Sequence, residues 1–325
     1  MNLYIIGNGF DIAHGLKTSY WDFRSYLEEK NEEFLIEFEK MYGHYAVDLN
    51  EYHIPEKRQK EIEKRRNDHL YDTMWKAFEY SLGYADEGEM LNAGENMWDQ
   101  MDMESGPIGI EDTLNLYWEE QYGFVLELQD YLFEWVKQIN LSKTKPIAKE
   151  LLRNSQDLFL TFNYTPVLER VYHISEKQIC HIHGGIPPYC LDVPTIGHGN
   201  AEVISMYREK AQKAEEDFDE ITTSINNAIA TFYQRTFKNT QEALQRNRTF
   251  FDKTSGVEEI YIIGHSLGEV DMPYFERIFN KVTSSVKWNI FYHKPEEEIA
   301  FRAAIANLGV KNIRTYPSSL FFDIS

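Results

Sequence analysis

The first sixteen residues constrain the fold more than any other stretch. An apolar run, Leu3 to Ile6, stops at Gly7-Asn8-Gly9, and from Asp11 the pattern can turn helical. That is the order of a buried strand, a glycine-rich turn and a helix N-terminus. Glycine tolerates positive φ and lets other groups come close to the backbone. The free N–H groups and dipole of the following helix attract phosphate or another anion. The spacing falls short of a full G-x-G-x-x-G, and a strand followed by a glycine turn also serves packing alone.

The same grammar returns downstream. Short apolar runs at Asp157–Phe162, Gln178–Ile182, Val193–Ile196, Glu259–Ile263, Trp288–Tyr292 and Asn312–Tyr316 read as buried strands. Helical patterns near Asp271–Ser284 and Pro295–Leu308 lie between the later ones. Strands alternating with helices predict an α/β protein with a parallel sheet covered on both faces. Two long helical regions interrupt it. One follows Ser19, a plausible N-cap, and includes an amphipathic stretch from Glu111 to Asn140 and a charged run near Glu56–Arg66. The other spans Ala201–Lys253. The expectation is one elaborated domain with helical insertions at about 20–155 and 201–256.

Composition narrows the function classes. Lys and Arg total 33 against 53 Asp and Glu, a formal charge of −20. Such a surface repels phosphate backbones, which makes nucleic acid an unlikely partner. No stretch reaches the ~20 consecutive apolar residues of a membrane helix. The N-terminus runs straight into a strand without a secretory leader pattern, and Cys180 and Cys190 make no disulfide framework, so a cytoplasmic protein is expected.

Ligands of open parallel sheets bind outside the carboxyl ends of the strands. Polar cargo sits there repeatedly: Gly7-Asn8-Gly9-Phe10-Asp11, Thr161-Phe162-Asn163-Tyr164-Thr165, His181-Ile182-His183-Gly184-Gly185, Gly197-His198-Gly199-Asn200, and Gly264-His265-Ser266-Leu267-Gly268 followed by Asp271. Asp11 reads equally as an N-cap or a ligand contact. Asn163 reads as a turn former or a functional amide, and His183 as a site histidine.

The order of these stretches resembles the AbiH family of bacteriophage abortive-infection proteins, and more distantly the sirtuin-like NAD-binding fold. The resemblance implies a Rossmann-like parallel sheet and a phage-defence role. It also implies NAD as the ligand, hydrolysed at its nicotinamide–ribose bond. Carried over by position, Asn163 orients ribose or water and His183 is the general base. Gly7 and Gly9 hold the dinucleotide phosphates and Ser266 contacts the cofactor. Asn8, Phe10, Asp11, Thr165, Gly184, His198, Gly264, His265 and Asp271 complete the binding set. Asp11 stands where the sirtuin-like pattern has a small hydroxyl residue, Thr165 stands where it has Asp, and the four-cysteine zinc module is absent. A phage-derived trigger and a homo-oligomer fit this role.

Other chemistries stay open. Gly264-His265-Ser266-Leu267-Gly268 is a literal G-x-S-x-G, the nucleophile elbow of serine hydrolases. The only histidine after it is His293, with Asp323 in the wrong order for a triad. Cys180, His181, His183 and Cys190 invite zinc at an unusual spacing. Asp11, Asp271 and the histidines could serve a metal-dependent nuclease, and a non-catalytic sensor module would use the helical regions.

Overall fold

The computed structural model describes residues 1–45, 54–91, 123–148, 151 and 156–322. Residues 111–122 of the Glu111–Asn140 stretch lie outside the described residues, and the described remainder contains a helix, Glu127–Gln138. Two compact units are present: residues 1–19, 132–195 and 239–325, and residues 20–131 and 196–238.

The first unit is built on six strands: β1 (Asn2–Ile6), β2 (Leu158–Thr161), β3 (Ile179–His181), β4 (Glu259–Ile263), β5 (Lys287–Tyr292) and β6 (Ile313–Pro317). All pairings are parallel, in the order β3-β2-β1-β4-β5-β6. The runs predicted to be strands form this sheet, with one exception. Val193–Ile196 is not a strand. Its backbone is taken by the loop after β3 instead: Gly185 N donates to Asp192 O and Thr195 N to His183 O. Pro194 between them has no N–H to offer a ladder.

Alternate side chains go to opposite faces of the sheet. Leu3, Ile5, Leu160, Ile260 and Ile262 join one core with Phe251, Tyr274, Phe275 and Ile278. Tyr4, Ile6, Phe159 and Ile263 join another with Phe10, Val167 and Tyr172. Burying each large apolar side chain stabilises the fold by about 1.5–3 kcal/mol. On the second face the rings of Phe159, Tyr4 and Tyr261 stack across three strands, with centroids 5.2 and 5.0 Å apart.

Two features position the rim. Ile6 is level with Thr161 on one side and Ile263 on the other, so the turns after β1, β2 and β4 begin side by side. The helices that follow β1 and β4 then part company. Asn8–Ala13 brings Phe10 to one face, and Met272–Phe279 brings Tyr274 and Phe275 to the other.

The second unit is helical among its described residues, with Tyr20–Lys30, Glu32–Lys40, Glu56–Thr73, Ala201–Glu216 and Glu220–Arg235 as its main helices. Asn200 and Asp219 cap the last two, accepting from the backbone N–H of Val203 and Thr222. A buried ion pair joins Arg24 Nε to Glu39 Oε1 at 2.7 Å, and Trp75 Nε1 donates to the same oxygen at 2.9 Å. Helices Thr240–Arg246 and Arg248–Lys253 continue the Ala201–Lys253 pattern in sequence but belong to the sheet unit. No helix among the described residues is long and apolar enough to cross a membrane.

Candidate functional site

The glycines at the rim face one another. Gly9 N donates to Gly264 O at 2.8 Å and Gly7 N to Ile263 O at 2.9 Å, while Phe10 N donates to Gly7 O. A Cβ on Gly7 would lie 2.5 Å from His265 Cα, and one on Gly264 would lie 2.3 Å from Phe10 N. Gly264 also has φ of +65°. These positions require glycine because two backbones touch there. The sequence predicts phosphate contact for Gly7 and Gly9, but the N–H groups of Gly7, Gly9 and Phe10 are already bonded within the protein. Asn8 reaches sideways, its Nδ2 donating to Thr18 O at 2.7 Å.

Below this seam lies a buried polar network. Asp11 is 1% exposed. Asn163 Nδ2 donates to its Oδ1 at 2.8 Å and Thr165 Oγ1 to its Oδ2 at 2.5 Å. Burial pushes the Asp11 carboxyl up to about 7, against the opposing pull of these two hydrogen bonds and of His181, and with help from the nearby charge of Glu169. A carboxyl near 7 can both take and give a proton at neutral pH. The Asn163 amide is oriented by this contact: its nitrogen must face the carboxylate, which leaves Oδ1 buried with no hydrogen-bond partner among the described residues.

His181 extends the network. Its Nε2 lies 2.7 Å from Glu169 Oε1 and its Nδ1 3.0 Å from Asn163 O. Both ring nitrogens thus face oxygen atoms, one of a side chain and one of the backbone. Glu169 is the residue that sequence reasoning missed. It sits in a four-residue helix, Val167–Arg170, where an isolated acid reads as surface.

His183 belongs to a different network. β3 ends at His181 and turns at once, Gly184 N donating to His181 O, with φ of +80° at Gly184. The two histidines therefore leave the strand in different directions. His183 Nε2 lies 3.3 Å from Asp271 Oδ1, and His265 Nε2 lies 3.4 Å from Asp271 Oδ2. Leu267 N donates to His265 Nδ1 at 2.9 Å, so the proton of a neutral His265 is on Nε2 and points at Asp271. The Phe162 ring packs edge-on against both imidazoles, with centroids 5.1 and 4.2 Å away. The sequence pairs Asn163 with His183. The structure instead gives each its own carboxylate, Asp11 for one and Asp271 for the other.

The remaining expected residues fall elsewhere. His198 belongs to the second unit. Asn200 N donates to its Nδ1 and its Nε2 bonds Tyr233 O, and burial lowers it to about 4, which keeps it neutral. Ser266 is exposed on a turn whose positive φ falls at Leu267, not at the serine, and the next helix starts only at Met272. His183 and His265 are both committed to Asp271, and His293 is exposed at a helix cap. This is not the strand–serine–helix geometry of a hydrolase elbow. Cys180 Sγ donates to Asn247 Oδ1 while His181 faces Glu169. Among the described residues no three His, Cys, Asp or Glu side chains are grouped to hold a metal ion.

The family model for bacteriophage abortive infection AbiH matches residues 3–292. The chain belongs to the AbiH family. The match runs from β1 to the end of β5 and so includes both buried networks and the glycine seam. The protein is thereby a phage abortive-infection protein. No significant match was found among curated proteins or among solved structures.

Proposed function

We propose that this AbiH protein is a nucleotide-consuming effector of abortive infection that hydrolyses NAD at the nicotinamide–ribose bond. Three things support the reading. The strand order 3-2-1-4-5-6, with helices leaving β1 and β4 on opposite faces, supports a Rossmann-like reading of the sheet. Asn163, His183 and Ser266, which the sirtuin-like resemblance names, follow β2, β3 and β4 in the chain. The observation that carries the chemistry is the Asp11–Asn163 contact: a carboxyl that titrates near neutral pH, fixing an amide whose oxygen is left over.

Cleavage of the bond passes through an oxocarbenium-like ribosyl group. The C–N electron pair leaves with nicotinamide, water supplies the new C–O bond, and the proton lost by water goes to ionised Asp11. Asn163 Oδ1 accepts a hydrogen bond from that water or from a ribose hydroxyl without adding charge. His183 beside Asp271 is the second proton carrier at the rim. The ribose end of the substrate suits the Asp11 network better than the pyrophosphate does, because the glycine-turn N–H groups are already bonded. Regulation by a phage-derived trigger fits a lethal activity.

The test is to infect cells carrying wild type, Asp11→Asn or Asn163→Ala and to follow cellular NAD. NAD falls after infection with wild type and holds in both variants. Protection by wild type with constant NAD would sink the proposal and leave the family membership standing.

A further inference from the structure

A second polar site lies away from the rim. Helix Thr240–Arg246 and helix Met272–Phe279 border a groove of 840 Å³ whose lining includes Asn239, Gln241, Gln245, Arg248, Arg277 and Lys281. Arg277 is in the last turn of the helix that returns from the rim towards the start of β5, which places the groove near the amino ends of the strands. Three cations line this groove of a chain of formal charge −20. Two of them share a carboxylate: Asp252 lies 2.7 Å from Lys281 Nζ and 3.7 Å from Arg248 Nε. The third, Arg277, adds its charge to the pull on the same carboxylate. Arg277 Nε is buried and has no hydrogen-bond partner among the described residues. Glu242 is the carboxylate in the lining. With Asp252 it offsets two of the three positive charges and leaves one in excess.

We propose that this groove binds a small phosphorylated ligand of nucleotide size. Arg277 and Arg248 take phosphate oxygens, for which the planar guanidinium fork is suited. Gln241 and Gln245 offer amide donors and acceptors to the organic part. A lone carboxylate ligand would use only part of this cation set, and a long nucleic acid would meet the repulsion of the acidic surface. The ligand is therefore compact and multiply charged.

Titration calorimetry of the full chain with pyrophosphate and with ADP tests this. Both probes bind wild type and bind more weakly as salt rises. Arg277→Gln weakens ADP about tenfold or more, the scale of a lost charge-assisted contact. Arg248→Gln, at an exposed side chain, weakens it several-fold without disturbing the fold. Absence of binding to wild type at millimolar probe overturns the proposal. So does equal affinity in Arg277→Gln and Arg248→Gln. A single-stranded oligonucleotide that binds more tightly than ADP overturns the small-ligand assignment.

Discussion

Asp11 and Thr165, 154 positions apart in the chain, are joined by a buried 2.5 Å hydrogen bond in which the threonine hydroxyl donates to the carboxyl. The bond ties the first helix to the segment after β2. Together with Asn163 it holds a titratable group where burial disfavours its charged form.

The pH dependence of stability follows from that burial. The Asp11 carboxyl moves from 3.8 to about 7 on folding, so the folded state keeps a proton that the unfolded chain releases. Stability from this group is complete below 3.8 and is lost as pH rises through about 7. Asp11→Asn removes that slope. Urea unfolding of both proteins across this window should show the variant gaining on wild type, on the order of 3 kcal/mol from one end to the other.

Two glycines of one pentapeptide should behave oppositely. Gly264→Ala places a methyl 2.3 Å from Phe10 N at a φ of +65°. A loss of about 3 kcal/mol or more, or failure to fold, is expected. A Cβ on Gly268 meets only Ser266 Oγ at 3.8 Å, and Gly268 has φ of −63°. Gly268→Ala should change stability by no more than about 0.5 kcal/mol. Comparison of denaturation midpoints decides it.

Asp271 is the shared partner of two buried imidazoles. Asp271→Ala removes the carboxylate that both imidazoles face, and a cost of about 1–3 kcal/mol is expected. Asp271→Asn keeps an acceptor for the His265 proton and should recover much of that stability. Equal unfolding midpoints for the two variants would contradict the described His265–Asp271 geometry.

In the helical unit, Glu39→Ala leaves the buried Arg24 with the exposed Glu28 as its carboxylate and removes the acceptor of Trp75 Nε1. About 3–5 kcal/mol should be lost. The double change Arg24→Met with Glu39→Leu removes both charges and should restore most of it, as read by thermal unfolding.

Much of this was legible beforehand because strands announce themselves locally. Leu3–Ile6, Leu158–Leu160 and Ile260–Ile263 are apolar runs bounded by glycine or polar turns, and each forms a strand of the sheet. Val193–Ile196 carries the same local signal and fails. Its partner is a neighbouring loop, and apolar content does not report which backbone is within reach. Glu169 and His181 were harder still. A lone acid on a short helix gives no sign that a histidine from the next strand covers it.

The amino-acid order by itself determined the alternation of strands and helices and the placement of polar turns after strands, since both rest on local propensity and period. It also carried the family membership. Tertiary structure alone decided that Gly7, Gly9 and Gly264 pack on one another, and that Asn163 and His183 answer to different carboxylates. It also decided that Asp11 titrates near neutrality. Each of these depends on which atoms arrive from distant parts of the chain and on how much water they exclude, and no local pattern encodes either.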